Sequence, residues 1–212
     1  MRRKLLALLF ILLLIPPYVL YSWYSSYTAL FTKKPVSEVF VKGPAGTVVV
    51  EGYRDDPLRE LNLTVYHVYD RVIIVPGSDA VKSYCDRTGK CQYLLMAVSE
   101  VSCTVGKVLG AHYYEISREA GHNSSRAKMI AFERVSKSVS TLWLSLGFKL
   151  SLGRGSAGNG RVLVVIFRGP LDGAEENRIY SPRMGVLVFE GRSYRDLYNE
   201  ALIFGALTGI KC

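Results

Sequence analysis

The chain has 212 residues, 49% of them hydrophobic and 21% charged, with a formal net charge of +9. That balance excludes a disordered chain and fits one globular domain of about 150 to 180 residues with an apolar extension. The first 31 residues hold three of the 27 basic residues and none of the 18 acids, so the remainder stands at +6. This is moderately basic, suited to an anionic membrane or envelope surface. Beyond residues 2–4 there is no Lys/Arg run and no basic stretch interleaved with aromatics, which argues against nucleic acid as a partner.

The extension opens the sequence. Residues 5–31 carry no charge, and Arg2, Arg3 and Lys4 precede them. Twenty-seven residues at about 1.5 Å each reach about 40 Å, more than a hydrocarbon core of about 30 Å. A cleaved signal peptide competes with a retained signal anchor. No A-x-A-like site follows the apolar run at 5–15, and Tyr18, Tyr21, Trp23, Tyr24 and Tyr27 resemble an interfacial belt. The anchor is therefore preferred, with a kink expected at Pro16 and Pro17. The expected organisation is a cytoplasmic basic stub at 1–4, a transmembrane segment at 5–31 and an extracytoplasmic domain at 35–212. The expected location is the cell membrane, single-pass, with the N-terminus cytoplasmic and the C-terminal domain outside.

"SEVFVKGPAGTVVVEGY" predicts two short strands around a "GPAG" turn. "LNLTVYHVYD" alternates and predicts a half-buried strand, with His67 on its apolar side, and "RVIIVPG" a buried one. Cys85 and Cys91 flank "DRTGK", whose polar residues and Gly89 suggest a hairpin loop. Residues 92–98 are short and apolar and lean to strand.

Four cysteines in an outward-facing domain suggest disulfides. Proximity pairs Cys85 with Cys91 and leaves Cys103 for Cys212. The C-x₅-C spacing suits neither a zinc knuckle nor a C-x-x-C redox pair. No metal- or cofactor-binding motif is present. The single glutamine leans weakly toward a hyperthermophile source, where disulfides also occur inside the cell. Asn62 and Asn123 begin glycosylation sequons, though Asn123 also suits a helix cap.

The clearest helix is "NSSRAKMIAFERVSKSVSTLWLSLG", with Ala127, Ala131, Val135, Val139, Leu142 and Leu146 as one stripe, ended by Gly147. "GRGSAGNG" reads as a loop, since it lacks the GK[ST] ending of a P-loop. "RVLVVIFRG" predicts a central strand and "VLVFEG" another. "SYRDLYNEALIFGALTGI" predicts a helix capped by Ser193 and Asp196, burying Leu197, Ala201, Phe204 and Leu207 or Thr208.

These elements imply an α+β or α/β class: a single mixed-sheet domain with two main helices, after one N-terminal transmembrane helix. The polar connection at 172–180 is the candidate site. Asp172, Glu175, Glu176 and Asn177 offer oxygens to a hard cation, and Arg178 offers a guanidinium to an anion. A turn followed by a helical first turn explains the same residues. No G-x-S-x-G is present, and His67, His112 and His122 have no sequence partner, so no catalytic residue is assigned. The expected role is a non-catalytic interaction or structural one in the cell envelope, with membrane or envelope proteins as partners. Alternatives are an anchored hydrolase or transferase using the 172–178 loop, and an accessory subunit of a membrane complex.

Overall fold

The structure is a computed structural model. It describes residues 2–154, 161–210 and 212, the side chains of 2–16, 147 and 150 aside. Helix α1 (Arg2–Thr32) is one continuous helix through both prolines.

A hairpin follows, β1 (Ser37–Gly43) and β2 (Gly46–Gly52), as the "GPAG" turn predicts. Then come α2 (Pro57–Tyr66), β3 (Arg71–Val75), α3 (Asp79–Thr88), α4 (Gln92–Glu119), α5 (Ser124–Ser138), β4 (Val139–Thr141) and α6 (Leu146–Arg154). The last elements are β5 (Val162–Arg168), a 3₁₀ turn (Pro170–Asp172), β6 (Arg178–Arg183), β7 (Val186–Glu190) and α7 (Tyr194–Leu207).

The class is α+β, with one mixed seven-stranded sheet in the order β1-β2-β6-β7-β5-β3-β4. Strands β3, β4, β5 and β7 are mutually parallel, and β6 runs against β7. Strand β2 follows β6, and β1 runs against β2. The sheet thus has a carboxyl edge, where the four parallel strands end, and an amino edge, where they begin.

Both faces are covered, which is why β5 is six apolar residues without a break. Leu163, Val165 and Phe167 enter the core under α2, α4 and α7, with Leu61, Leu94, Val101 and Phe204. Val164 and Ile166 enter a second core with Tyr27, Phe31 and Leu152, contributed by α1 and α6.

Several elements differ from the sequence expectation. Seven α-helices are present among the described residues, not two main ones. The alternating stretch "LNLTVYHVYD" is mostly helix α2, not a strand. Pro57 opens it, Asp56 accepts from Arg59 N, and Leu61, Thr64 and Val65 are buried while Leu63 is exposed. The burial period is helical, and the alternation is coincidental. Residues 92–98 begin α4 rather than a strand. Leu94, Ala97, Val101, Val105 and Leu109 form its buried stripe, which a seven-residue window cannot display. Among the helices whose side chains are described throughout, α4 is also the one long and apolar enough to cross a bilayer, yet that stripe makes it the main core helix.

The helix after Asn123 stops at Ser138. Val139 to Thr141 pair with Val72 to Ile74 instead, so Val139, Leu142 and Leu146 leave the predicted stripe. Strand β6 was hidden by Pro182, which sits where the β6–β7 register shifts. The cysteine turn is a helix–helix corner, not a hairpin. Cys85 lies in α3, Gly89 ends that helix at φ 65° with its N–H on Cys85 O, and Cys91 caps α4. The predicted pairs are formed: Cys85–Cys91 with Cα atoms 5.4 Å apart, and Cys103–Cys212 at 6.1 Å. Of "GRGSAGNG", Gly153 and Arg154 close α6, and 155–160 lie outside the described residues. Helix α7 carries its predicted cap, Ser193 accepting from Asp196 N.

One buried acid has no functional geometry and a clear thermodynamic signature. Glu200 on α7 is fully buried, and neither carboxyl oxygen finds a well-formed hydrogen bond. Burial first, then the charges of Asp196 and Glu190, raise its pKa well above 4.5, against a weaker pull from the Arg178 main chain. The folded state therefore holds a proton that the unfolded state releases above pH 4.5, and stability falls as pH rises from there. Glu200→Met is expected to be more stable than the parent at pH 7 by about 1–3 kcal/mol. Thermal melts from pH 4.5 upward should show the gain growing with pH; a constant difference would contradict it.

Candidate functional site

The carboxyl edge gathers charge because its strands end in charged residues. Register places Arg168 of β5 beside Glu190 of β7, and Glu190 beside Arg178 of β6. Glu51 of β2 lies beside Tyr180 of β6. Arg178 donates from Nε to Glu190 Oε2 at 2.7 Å and from Nη1 to Glu51 Oε1 at 3.0 Å. Arg168 donates from Nη1 to Glu190 Oε1 and from Nη2 to the Asp172 carbonyl. The Tyr180 hydroxyl donates to Glu190 Oε1 at 2.8 Å and that of Tyr53 to Glu51 Oε2 at 2.5 Å. Two guanidiniums balance two almost fully buried carboxylates. Burial and the Glu190 charge push the Tyr180 phenol far up. Burial alone would lower Arg178, but its bond to Glu190 and that carboxylate's charge raise it on balance.

This network receives the end of α1. Arg178 Nη2 donates to the Phe31 carbonyl at 3.2 Å, and the Arg168 guanidinium lies 4.2 Å from the Phe31 ring centre. Cations at a helix C-terminus complement its dipole, so the last turn of α1 is held electrostatically as well as by packing.

Between that last turn and the loops after β3 and β5 lies a crevice of about 400 Å³. Tyr24, Tyr27, Thr28 and Phe31 form one wall, and Ser78, Lys149, Arg168 and Asp172 supply polar groups. Ligands in open α/β sheets bind outside the carboxyl ends of strands, and this is such a place. Asp172 Oδ1 accepts from Ser78 N at 3.3 Å, setting a carboxylate at the start of α3. Its Oδ2 is buried without a hydrogen-bond partner, as is the Tyr194 hydroxyl. Burial, then the Asp172 charge, push Tyr194 up to about 12. Aromatic wall, lysine and half-used carboxylate together suit a small polar or zwitterionic ligand.

The predicted residues separate in space. Asp172 lines the crevice, and Arg178 spends its donors inside the network. The Glu175 carbonyl accepts from Arg192 Nε, and Asn177 Oδ1 accepts from Arg192 N. Glu176 is exposed, 3.9 Å from Arg178. No metal-holding cluster of carboxylates, His or Cys occurs among the described residues. None of the three histidines lines the crevice. His67 is exposed just after α2, against the Tyr69 ring, rather than on a buried strand face. His112 lies on α4, and His122 in the turn after it. Of the sequons, Asn62 is exposed on α2, with Thr64 buried against Ser181. Asn123 caps α5 through Oδ1.

Sequence reasoning missed Glu51, Arg168, Tyr180 and Glu190. The available signal was a charged residue closing each apolar strand, "VLVVIFR" and "VLVFE". No family model, curated protein or solved structure matches this chain.

Proposed function

We propose that the chain is a single-pass membrane protein whose extracytoplasmic α+β domain has an interaction or structural role in the cell envelope, without chemistry of its own. The observation that carries this reading is α1. Its uncharged run enters the domain with no linker: Tyr27 and Phe31 are buried in the second core, while Tyr18, Leu20 and Tyr21 just before them are exposed. A helix apolar on its exposed part needs an apolar solvent, and a bilayer is one. The basic residues at 2–4 favour a cytoplasmic N-terminus. The two disulfides favour an oxidising side for the rest.

Envelope or membrane proteins remain the proposed partners, and a place as accessory subunit of a membrane complex is one form of the same role. The anchored hydrolase or transferase is favoured by a single feature, the unpartnered Asp172 Oδ2 in the crevice. Carbonate extraction and protease protection of membrane vesicles test the main reading. The chain is expected to stay in the pellet, with 35–212 cleaved only from the outer side. Its intact mass should rise on reduction and alkylation by four blocked cysteines. Release by carbonate, or four thiols reactive without reduction, would overturn it.

A further inference from the structure

The two edges of the sheet are not equivalent with respect to α1. At the carboxyl edge Arg178 holds the Phe31 carbonyl. At the amino edge Arg183, the last residue of β6, donates to the Leu152 carbonyl of α6 at 2.7 Å. The next residue, Gly153, lies so close to α1 that a Cβ there would fall 1.7 Å from the Trp23 carbonyl. Residue 31 of α1 is thus at one edge and residue 23 at the other, and the helix continues past the amino edge with Tyr18, Leu20 and Tyr21 exposed.

The same edge carries an apolar surface on the opposite layer. Met184, in the β6–β7 turn, meets the Tyr69 hydroxyl and shares a hollow of about 650 Å³ with Leu63, Tyr66 and His67. Leu63 is 55% exposed, Tyr66 53% and Val68 45%. Around them the charge is mostly positive. Arg71 and Arg154 are exposed, while Arg59 pairs with Asp55 and Arg161 with Asp70. Arg154 also lies over the Trp23 ring at 5.1 Å, beside the point where α1 leaves.

Exposed aliphatic and aromatic groups among arginines are the composition of a bilayer interface. We infer that the amino edge, through Leu63, Tyr66 and Val68, rests on the anionic headgroup layer of the leaflet from which α1 emerges. The inference rests on the anchored reading and adds the orientation of the domain. The strands then stand away from the membrane, and the crevice with Asp172 opens on the far side. Asn62, beside Leu63, faces the headgroups.

The test uses the full-length chain in vesicles of phosphatidylcholine and phosphatidylglycerol, with a photoreactive phosphatidylglycerol labelled in its headgroup. Irradiation and peptide mapping should find the label on residues 17–23 and on 57–68. The second segment should exceed residues 92–98, at the carboxyl end of the sheet, by at least about fivefold. Leu63→Asp combined with Val68→Asp should abolish that excess and leave labelling of 17–23 unchanged. Label on 17–23 without an excess on 57–68 overturns this orientation and leaves the anchor standing. Absence of label from both overturns the anchor and this inference with it.

Discussion

Arg178→Met is expected to destabilise the domain by about 3–5 kcal/mol, the largest loss for any single change of charge in the chain. The substitution keeps most of the side-chain volume and removes the charge that Glu51 and Glu190 share. Both carboxylates are almost fully buried, and Arg168 reaches only Glu190. Glu51 would keep the Tyr53 hydroxyl as its donor and no cation. An isolated buried carboxylate must either bear the desolvation cost or take up a proton, and either route draws on folding free energy. Adding Glu51→Gln and Glu190→Gln to Arg178→Met should recover part of the loss, since the orphaned charges go with the cation. Denaturant unfolding of the full-length chain in mild detergent, followed by circular dichroism, measures both. A loss below about 1 kcal/mol would show that the network is screened like a surface pair. The same variant should loosen α1, because the Phe31 carbonyl loses its donor.

The second large effect belongs to the long disulfide. Cys103 and Cys212 are 109 residues apart, and their bridge ties the middle of α4 to the chain beyond α7. In the chain-entropy relation a loop of that size contributes about 4–5 kcal/mol, whereas the six-residue separation of Cys85 and Cys91 contributes roughly 2 kcal/mol. Cys103→Ser with Cys212→Ser should therefore lower the melting temperature about twice as far as Cys85→Ser with Cys91→Ser. The native contacts sharpen the contrast. The Tyr66 hydroxyl of α2 donates to the Thr208 carbonyl, so releasing the end of α7 also frees a tie to α2. Equal losses for the two double variants would mean that the unfolded chain is already restrained over that long loop.

The fold was legible where the local pattern and the tertiary environment agree. The β1–β2 turn, the doubly covered β5, the capped α7 and the Cys85–Cys91 pair follow from neighbours in sequence, and Cys103–Cys212 follows by elimination. Reading failed where a short window admits two periods. Leu61, Leu63 and Val65 alternate like a strand, and only the exposure of Leu63 reveals the helix. Residues 92–98 needed the next twelve residues before their helical stripe was visible. The candidate site was legible only in part, for a different reason. Asp172 announces itself as a polar residue in a loop. The network around it joins positions 51, 168, 178 and 190, which meet only through the register of four strands. No local pattern contains that register.

Close contact at Gly153 gives α1 a mechanical meaning. A helix is a screw: each residue advances about 1.5 Å and turns about 100°. With Trp23 seated on Gly153 and Phe31 clasped by two arginines, the domain grips its shaft at two points along the helix axis. One residue inserted before Trp23 would turn the domain about 100° around the helix axis relative to the first half of α1. The azimuth of the domain is thus written in the residue count of its shaft.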